Sequence, residues 1–185
     1  MDTPKPEAAV DGEELLAAQG GAAGAFALLV RRNQARVFSV ALRLTGRRED
    51  AEELAQDVFV QLHAALAQIE SAAHLRHWLL RTVTHRSIDR LRQRSRQPRV
   101  VQLDASHDVA VFEHIIDPLA QRRLRLLLLQ LPPDARAVVL LRYQEDLDPA
   151  QITAVLGMPV NTVKSHLRRS LLWLRAQLAG AEDAY

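Results

Sequence analysis

The sequence predicts an all-α protein: two small helical domains joined by a flexible linker, the second built around a helix-turn-helix. Three observations predict this. Apolar residues recur at helical spacing through most of the chain, while strand-like alternation never persists beyond a few residues. That pattern stops after Arg96 and resumes at Leu119. In the later block a short helical segment, a turn containing Gly157 and a long helical segment follow one another, which is helix-turn-helix spacing.

The elements follow in order. A short helix over 12–19 is closed by Gly20-Gly21. Phe26, Leu29, Val30, Val37, Val40, Ala41 and Leu44 fit one face of a second helix that ends near Gly46. Ala51, Leu54, Ala55, Val58, Phe59, Leu62, Leu66 and Ile69 make a regular stripe for a third. Leu75, Trp78, Leu79, Thr82, Val83, Ile88 and Leu91 give a fourth, whose other face carries Arg76, Arg81, Arg86, Arg90 and Arg94. Residues 1–96 thus form the first domain. The segment 97–118, bounded by Gln97-Pro98 and Asp117-Pro118, is the linker, within which 109–116 is expected to make a turn or two of helix. Residues 119–185 form the second domain. A leucine-rich helix over 119–131 is stopped by Pro132-Pro133, and a helix over 134–143 follows. Asp148 caps a helix over 150–156, with Pro149 at its first position and Gly157 past its end. Asn161 is expected to cap the last helix, over 162–178.

Composition removes several functions. The 185 residues include no Cys, which excludes disulfides, thiolate catalysis and Cys-ligated metal sites. The apolar stretch 22–30 is preceded by Asp11, Glu13 and Glu14 rather than by positive charge, and it is too short to cross a bilayer. A cytoplasmic protein with no direct membrane insertion is expected. No Gly-rich phosphate loop and no Ser, His and acid set stands out. His74 and His77 lie at i and i+3 with His63 upstream, but no carboxylate cluster accompanies them, so no metal and no cofactor is expected. Catalysis is not supported, and the chain is read as a non-enzyme.

Charge distribution is more informative than the net value of +2. The segment 76–99 holds eight Arg and one acid, Asp89, whereas 100–120 holds four acids and no base. Basic helices of this kind track a phosphate backbone, and Trp78 offers a ring for an unpaired base unless it belongs to the core. On the last helix Val163, Leu167, Leu171 and Leu174 point inward at helical spacing. Asn161, Thr162, Lys164, Ser165, His166, Arg168 and Arg169 then point outward, where a recognition helix meets base edges. The third helix opens with Glu49, Asp50, Glu52, Glu53 and Asp57. Acids suit a helix N-terminus through the dipole alone, yet Glu53, Gln56 and Asp57 share an outward face suited to a basic protein partner.

These residues together resemble a family. The stretch from Gly46 to Leu62, centred on Asp50-Ala51-Glu52-Glu53-Leu54-Ala55-Gln56-Asp57-Val58-Phe59, is similar to the core-polymerase-binding helix of extracytoplasmic-function (ECF) sigma factors of bacterial RNA polymerase. Trp78-Leu79-Leu80-Arg81 and Asp89-Arg90-Leu91-Arg92 resemble the promoter-melting and −10-reading helix that follows it. Leu131-Pro132, Arg136, Leu140-Leu141-Arg142-Tyr143, Leu156-Gly157-Met158-Pro159 and Thr162-Val163-Lys164-Ser165 resemble the family's −35-binding domain.

The resemblance implies a sigma-70 superfamily specificity subunit, with core RNA polymerase and promoter DNA as partners and an anti-sigma factor as a further one. Asp50, Glu53, Gln56 and Asp57 would engage the polymerase. Ser71, His74, Arg76, Trp78, Arg81, Arg86 and Arg90 would hold the −10 strand. Asn161, Thr162, Lys164, Ser165, His166, Arg168 and Arg169 would read the −35 duplex. The family usually has Gly where Asn161 stands and Arg where His166 stands. Two other readings fit single blocks of the chain: a self-sufficient helix-turn-helix regulator, and a helical interaction module whose Arg face binds an acidic protein. The order of the blocks favours the sigma reading.

Overall fold

The computed structural model describes residues 6–96 and 118–179. The linker expectation for 97–117 lies outside the described residues. Among the described residues there are eight α-helices, one 3₁₀ turn and no strand: α1 (Pro6–Gln19), α2 (Ala25–Thr45), α3 (Arg48–Ala65), the 3₁₀ turn (Leu66–Gln68), α4 (Ala72–Arg96), α5 (Pro118–Gln130), α6 (Pro133–Tyr143), α7 (Pro149–Leu156) and α8 (Val160–Ala179).

In the first half, α2, α3 and α4 pack on one another through the stripes read from the sequence. Leu29, Val40, Leu54, Val58, Leu62, Leu79 and Val83 are all buried there. The α1 helix is held by its last residue: Gln19 Nε2 donates to the carbonyls of Leu66 (2.9 Å) and Ile69 (2.7 Å). α2 stops at Gly46, whose φ of 74° suits glycine and whose N–H donates to the Leu42 carbonyl at 2.8 Å. A Cβ at this position would also lie 2.7 Å from a Leu129 methyl of α5, so that side chain would have to shift as well.

The second half packs α6 against α8 and α7 against α8. Val138, Leu141, Ile152, Leu156 and Val163 are buried and belong to the same apolar core as the first half. A smaller cluster of Leu127, Leu131, Val139 and Leu174 joins α5 to α8.

The two halves are therefore in direct contact, α4 against α6 and α7, and α2 against α5 and α6. The contact is polar at its edges. Arg43 donates to Gln144 Oε1 (2.9 Å), and Gln144 Nε2 donates to Ser39 Oγ (3.2 Å). Glu145, 6 % exposed, sits between Arg36 (3.5 Å) and Arg76 (3.6 Å), and Arg76 also donates to the Glu145 carbonyl (3.1 Å). Arg92 donates to both carboxylate oxygens of Asp134, at 3.0 and 3.1 Å. Arg136, buried in α6, donates to the carbonyls of Leu44, Leu129 and Leu131.

Candidate nucleic-acid interface

The turn between α7 and α8 is set by local chemistry. Asp148 Oδ1 accepts from the N–H groups of Ala150 (2.8 Å) and Gln151 (2.9 Å), and Gln151 Oε1 accepts from the Asp148 N–H (2.8 Å). This reciprocal cap, with Pro149 in the first turn, starts α7 where the sequence places it. Gly157, at φ 70°, ends it.

α8 begins earlier than expected. Its first bonds run from Thr162 N (2.9 Å) and Val163 N (3.1 Å) to the Pro159 carbonyl, so the helix opens at Val160. Asn161 is a residue of the first turn and not the cap; Pro159, with no N–H to satisfy, provides the entry instead. The expected faces otherwise hold. Val163 and Leu174 are buried, whereas Asn161, Thr162, Lys164, Ser165, Arg168 and Arg169 are exposed and His166 is half-buried. Asn161, Thr162, Ser165, His166 and Arg169 line a shallow cleft of ≈ 320 Å³ on this face. No acid lies within α8, so the helix N-terminus and its side chains present one sign of charge.

α4 is different. Ser71 Oγ accepts from the His74 N–H (3.1 Å) and His74 Nδ1 accepts from the Glu70 N–H (3.2 Å), so both residues build the start of the helix. Trp78 is half-buried and packs against the core. Burial, with help from Arg81 and His74, lowers the pKa of His77. The five arginines do not form one open face: each has a partner within the chain. Arg76 meets Glu145, and Arg81 donates to the Ala154 carbonyl (2.9 Å) at the end of α7, beside His85 Nε2 on the Val155 carbonyl (2.9 Å). Arg86 pairs with Asp57 (3.6 Å), Arg90 with Glu53 and Asp50, and Arg94 with Asp50.

On α3, Glu53 and Gln56 are exposed and Asp57 is half-exposed. Asp50 does not join them at the surface. It is 3 % exposed and accepts from Arg90 (3.2 Å) and Arg94 (2.8 Å), which makes it an internal anchor for α4. Arg90 clasps Glu53 through two bonds (2.7 and 2.9 Å), which lowers the Glu53 pKa and raises that of Arg90. Beside Gln56, an open apolar groove of ≈ 950 Å³ runs between α2 and α3, with Phe26, Phe38, Phe59 and the 71 % exposed Val60 in its wall.

Sequence reasoning missed that groove and the roles of Glu145 and Arg136. Arg136 had a signal, a lone cation inside the apolar run Ala135 to Leu141. Glu145 had none, because its partners lie 69 or more positions away. Among the described residues no group of three or more His, Asp or Glu could hold a metal ion, and no helix is long and apolar enough to cross a membrane.

Comparison with known proteins gives a consistent result. The family described as Sigma-70 region 2 matches residues 29–97, and Sigma-70 region 4 matches residues 121–174. The chain is 31% identical over 170 residues to the ECF RNA polymerase sigma factor SigM of Mycobacterium tuberculosis H37Rv, covering 91% of this chain and 83% of that protein. It is 25% identical to SigW of Bacillus subtilis, covering 83% and 89%. It is 32% identical to SigE of Mycolicibacterium smegmatis, covering 82% of this chain but spanning only 60% of that relative's length. Among solved structures, CnrH in complex with the cytosolic domain of CnrY is similar in fold, with a TM-score of 0.66 at 24% identity over 92% of this chain and 97% of that one. The sigma factor RpoE in complex with the anti-sigma factor NepR, from Bartonella quintana, gives a TM-score of 0.66 at 20% identity over 84% and 98%.

Proposed function

Because the chain belongs to the ECF sigma factors of the sigma-70 family, with regions 2 and 4 in order, we propose that it directs core RNA polymerase to promoters as a non-catalytic specificity subunit. In this reading residues 1–96 bind the polymerase and the −10 strand, 97–118 link the domains, and 119–185 bind the −35 duplex. Glu53, Gln56 and Asp57 face the polymerase, with Asp50 supporting them from inside. The loop at Ser71 and His74 and the arginines of α4 take the −10 strand, with Trp78 acting from the core. Asn161, Thr162, Lys164, Ser165, His166, Arg168 and Arg169 read the −35 element. The observation that carries the proposal is the α8 face: a capped helix-turn-helix presents polar and basic side chains with no acid among them. The cytoplasm is its place of action, and an anti-sigma factor, as NepR is for RpoE, is a fitting further partner.

The test is co-elution with purified bacterial core RNA polymerase, beside a Glu53→Arg, Asp57→Arg variant. Wild-type protein comigrates and the variant does not. Failure of the wild type to comigrate would transfer the function to a stand-alone helix-turn-helix regulator. On a mapped promoter, Arg168→Ala or Arg169→Ala is expected to cost about 1–3 kcal/mol of −35 discrimination if that side chain meets a base edge. Unchanged discrimination in both variants removes them from the reading face.

A further inference from the structure

The acids of α3 and the arginines of α4 form a ladder of three rungs: Asp57 with Arg86 (3.6 Å), Glu53 with Arg90 (2.7 Å) and Asp50 with Arg94 (2.7 Å). The numbering falls by three or four along α3 as it rises by four along α4, so each rung is one helical turn from the next. The rungs differ in burial. Asp50 is enclosed, with 4% of its side chain exposed, whereas Glu53 is 60% and Asp57 44% exposed.

The ladder joins the two faces that the proposed function keeps apart. Its outer carboxylates are on the polymerase-facing side, and its outer guanidiniums are candidates for −10 phosphates. A carboxylate clasped through two bonds by a guanidinium occupies the same fork that a phosphate oxygen pair would use. We propose that Glu53 and Asp57 are internal stand-ins for DNA phosphate on Arg90 and Arg86, and that a basic partner docking on α3 releases those two arginines to the −10 strand. The coupling to polymerase rests on the function proposed above. The competition within the chain rests on the ladder alone. Exposed ion pairs exchange at little cost, so Glu53 and Asp57 yield, while Arg90 keeps its 3.2 Å bond to Asp50 and turns only its Glu53-facing fork outward. The Asp50–Arg94 rung, whose carboxylate is enclosed, stays and keeps α4 in place. By linkage the effect is reciprocal: a strand held by Arg86 and Arg90 leaves Glu53 and Asp57 open to the polymerase.

The test uses the full-length protein and a fluorescein-labelled dT20 oligonucleotide, a probe of phosphate contacts that needs no promoter sequence. The Glu53→Gln, Asp57→Asn variant is expected to bind it about three- to tenfold more tightly than wild type. Its plot of log affinity against log salt should be steeper by about 0.7 for each arginine released, the single-strand value. Glu13→Gln, Glu70→Gln removes the same charge away from the ladder and sets the background effect. Adding Arg86→Gln and Arg90→Gln together to the carboxamide variant should erase the gain, and either alone part of it, while circular dichroism confirms retained helix. A gain no larger than the Glu13, Glu70 control, or one that survives loss of both arginines, overturns the proposal. Co-elution with core polymerase is read separately. If wild type fails there while the dT20 gain holds, the function reading and the polymerase coupling fall and the internal competition stands.

Discussion

Glu145→Lys is expected to separate the two halves of the protein while leaving their helices folded. The Glu145 carboxylate is enclosed by Arg36 and Arg76, with Arg43 contributing from α2. A lysine there places a fourth cation among three, and an uncompensated buried charge costs about 3–5 kcal/mol. That shifts an equilibrium between contact and separation by about a hundredfold or more. Other edge contacts include Arg92 with Asp134, Arg81 with the end of α7, and Gln144 with Arg43 and Ser39; each is partly exposed or uncharged on one side and worth less. With no native Cys to interfere, dyes on Gln68→Cys and Ala176→Cys, both exposed, report separation by energy transfer. Transfer should fall in the Lys variant at unchanged helical circular dichroism. Unchanged transfer would show that Glu145 does not govern the contact, and lost helix would show that it holds the second half itself together.

The same carboxylate makes closure pH-dependent. Burial raises the Glu145 pKa, although Arg36, Arg76 and Arg43 pull it back. The closed form therefore binds an extra proton in the window above the usual carboxylate pKa, so this group strengthens closure as pH falls through that window and weakens it as pH rises. Glu145→Gln should keep the contact and remove this part of the pH dependence. Functionally, separation would release Arg76 from Glu145 and Arg81 from the Ala154 carbonyl, two of the arginines proposed for the −10 strand.

How far the sequence reveals this arrangement depends on the range of the interactions. The stripe from Ala51 to Leu62 specifies α3 because its periodicity is local, and Asp148-Pro149 with Gly157 specifies α7 because caps act within one turn. The α8 reading face follows for the same reason. The arginines of α4 were less legible as a group. At 100° per residue Arg81 lies about 140° around the helix from Arg76, and Arg94, though in line with Arg76, is about 27 Å further along. A single basic face was thus geometrically excluded, and the structure sends Arg76 and Arg81 to the second half and Arg86, Arg90 and Arg94 to α3. Asp50, Glu53 and Asp57 share an i, i+3, i+7 face, which distinguishes a surface turned to α4 from the one carrying Glu52, Gln56 and Val60. The contact between the halves depends on bonds such as Gln144 to Ser39, 105 positions apart, which leave no local pattern.

Arg136→Leu is expected to remove the largest share of stability of any single polar substitution in the second half. The side chain is 6 % exposed and lies among buried Ala135, Ala137, Val138, Val139, Leu140 and Leu141, so leucine replaces much of its packing. What it cannot replace is the fork. Leu44 belongs to the last turn of α2, Leu129 to the last turn of α5, and Leu131 to the turn that follows α5. Carbonyls at helix ends have no partner within the helix, and a cation there is favoured by the dipole. Burial lowers the Arg136 pKa to about 10, still far above neutrality, so the donor fork is complete at working pH. An orphaned buried acceptor costs about 1–3 kcal/mol; with water reaching some of the three, a loss of about 3–5 kcal/mol is expected. Set against the 5–15 kcal/mol typical of a folded domain, that is a large fraction. Urea unfolding should show a much lower midpoint for Arg136→Leu. Arg136→Lys should fall between, because one ammonium retains the charge but cannot span three carbonyls. A leucine variant with an unchanged midpoint would mean that these carbonyls are satisfied without the guanidinium, and that Gly46 against Leu129 and the shared apolar core hold α5 to α2 unaided.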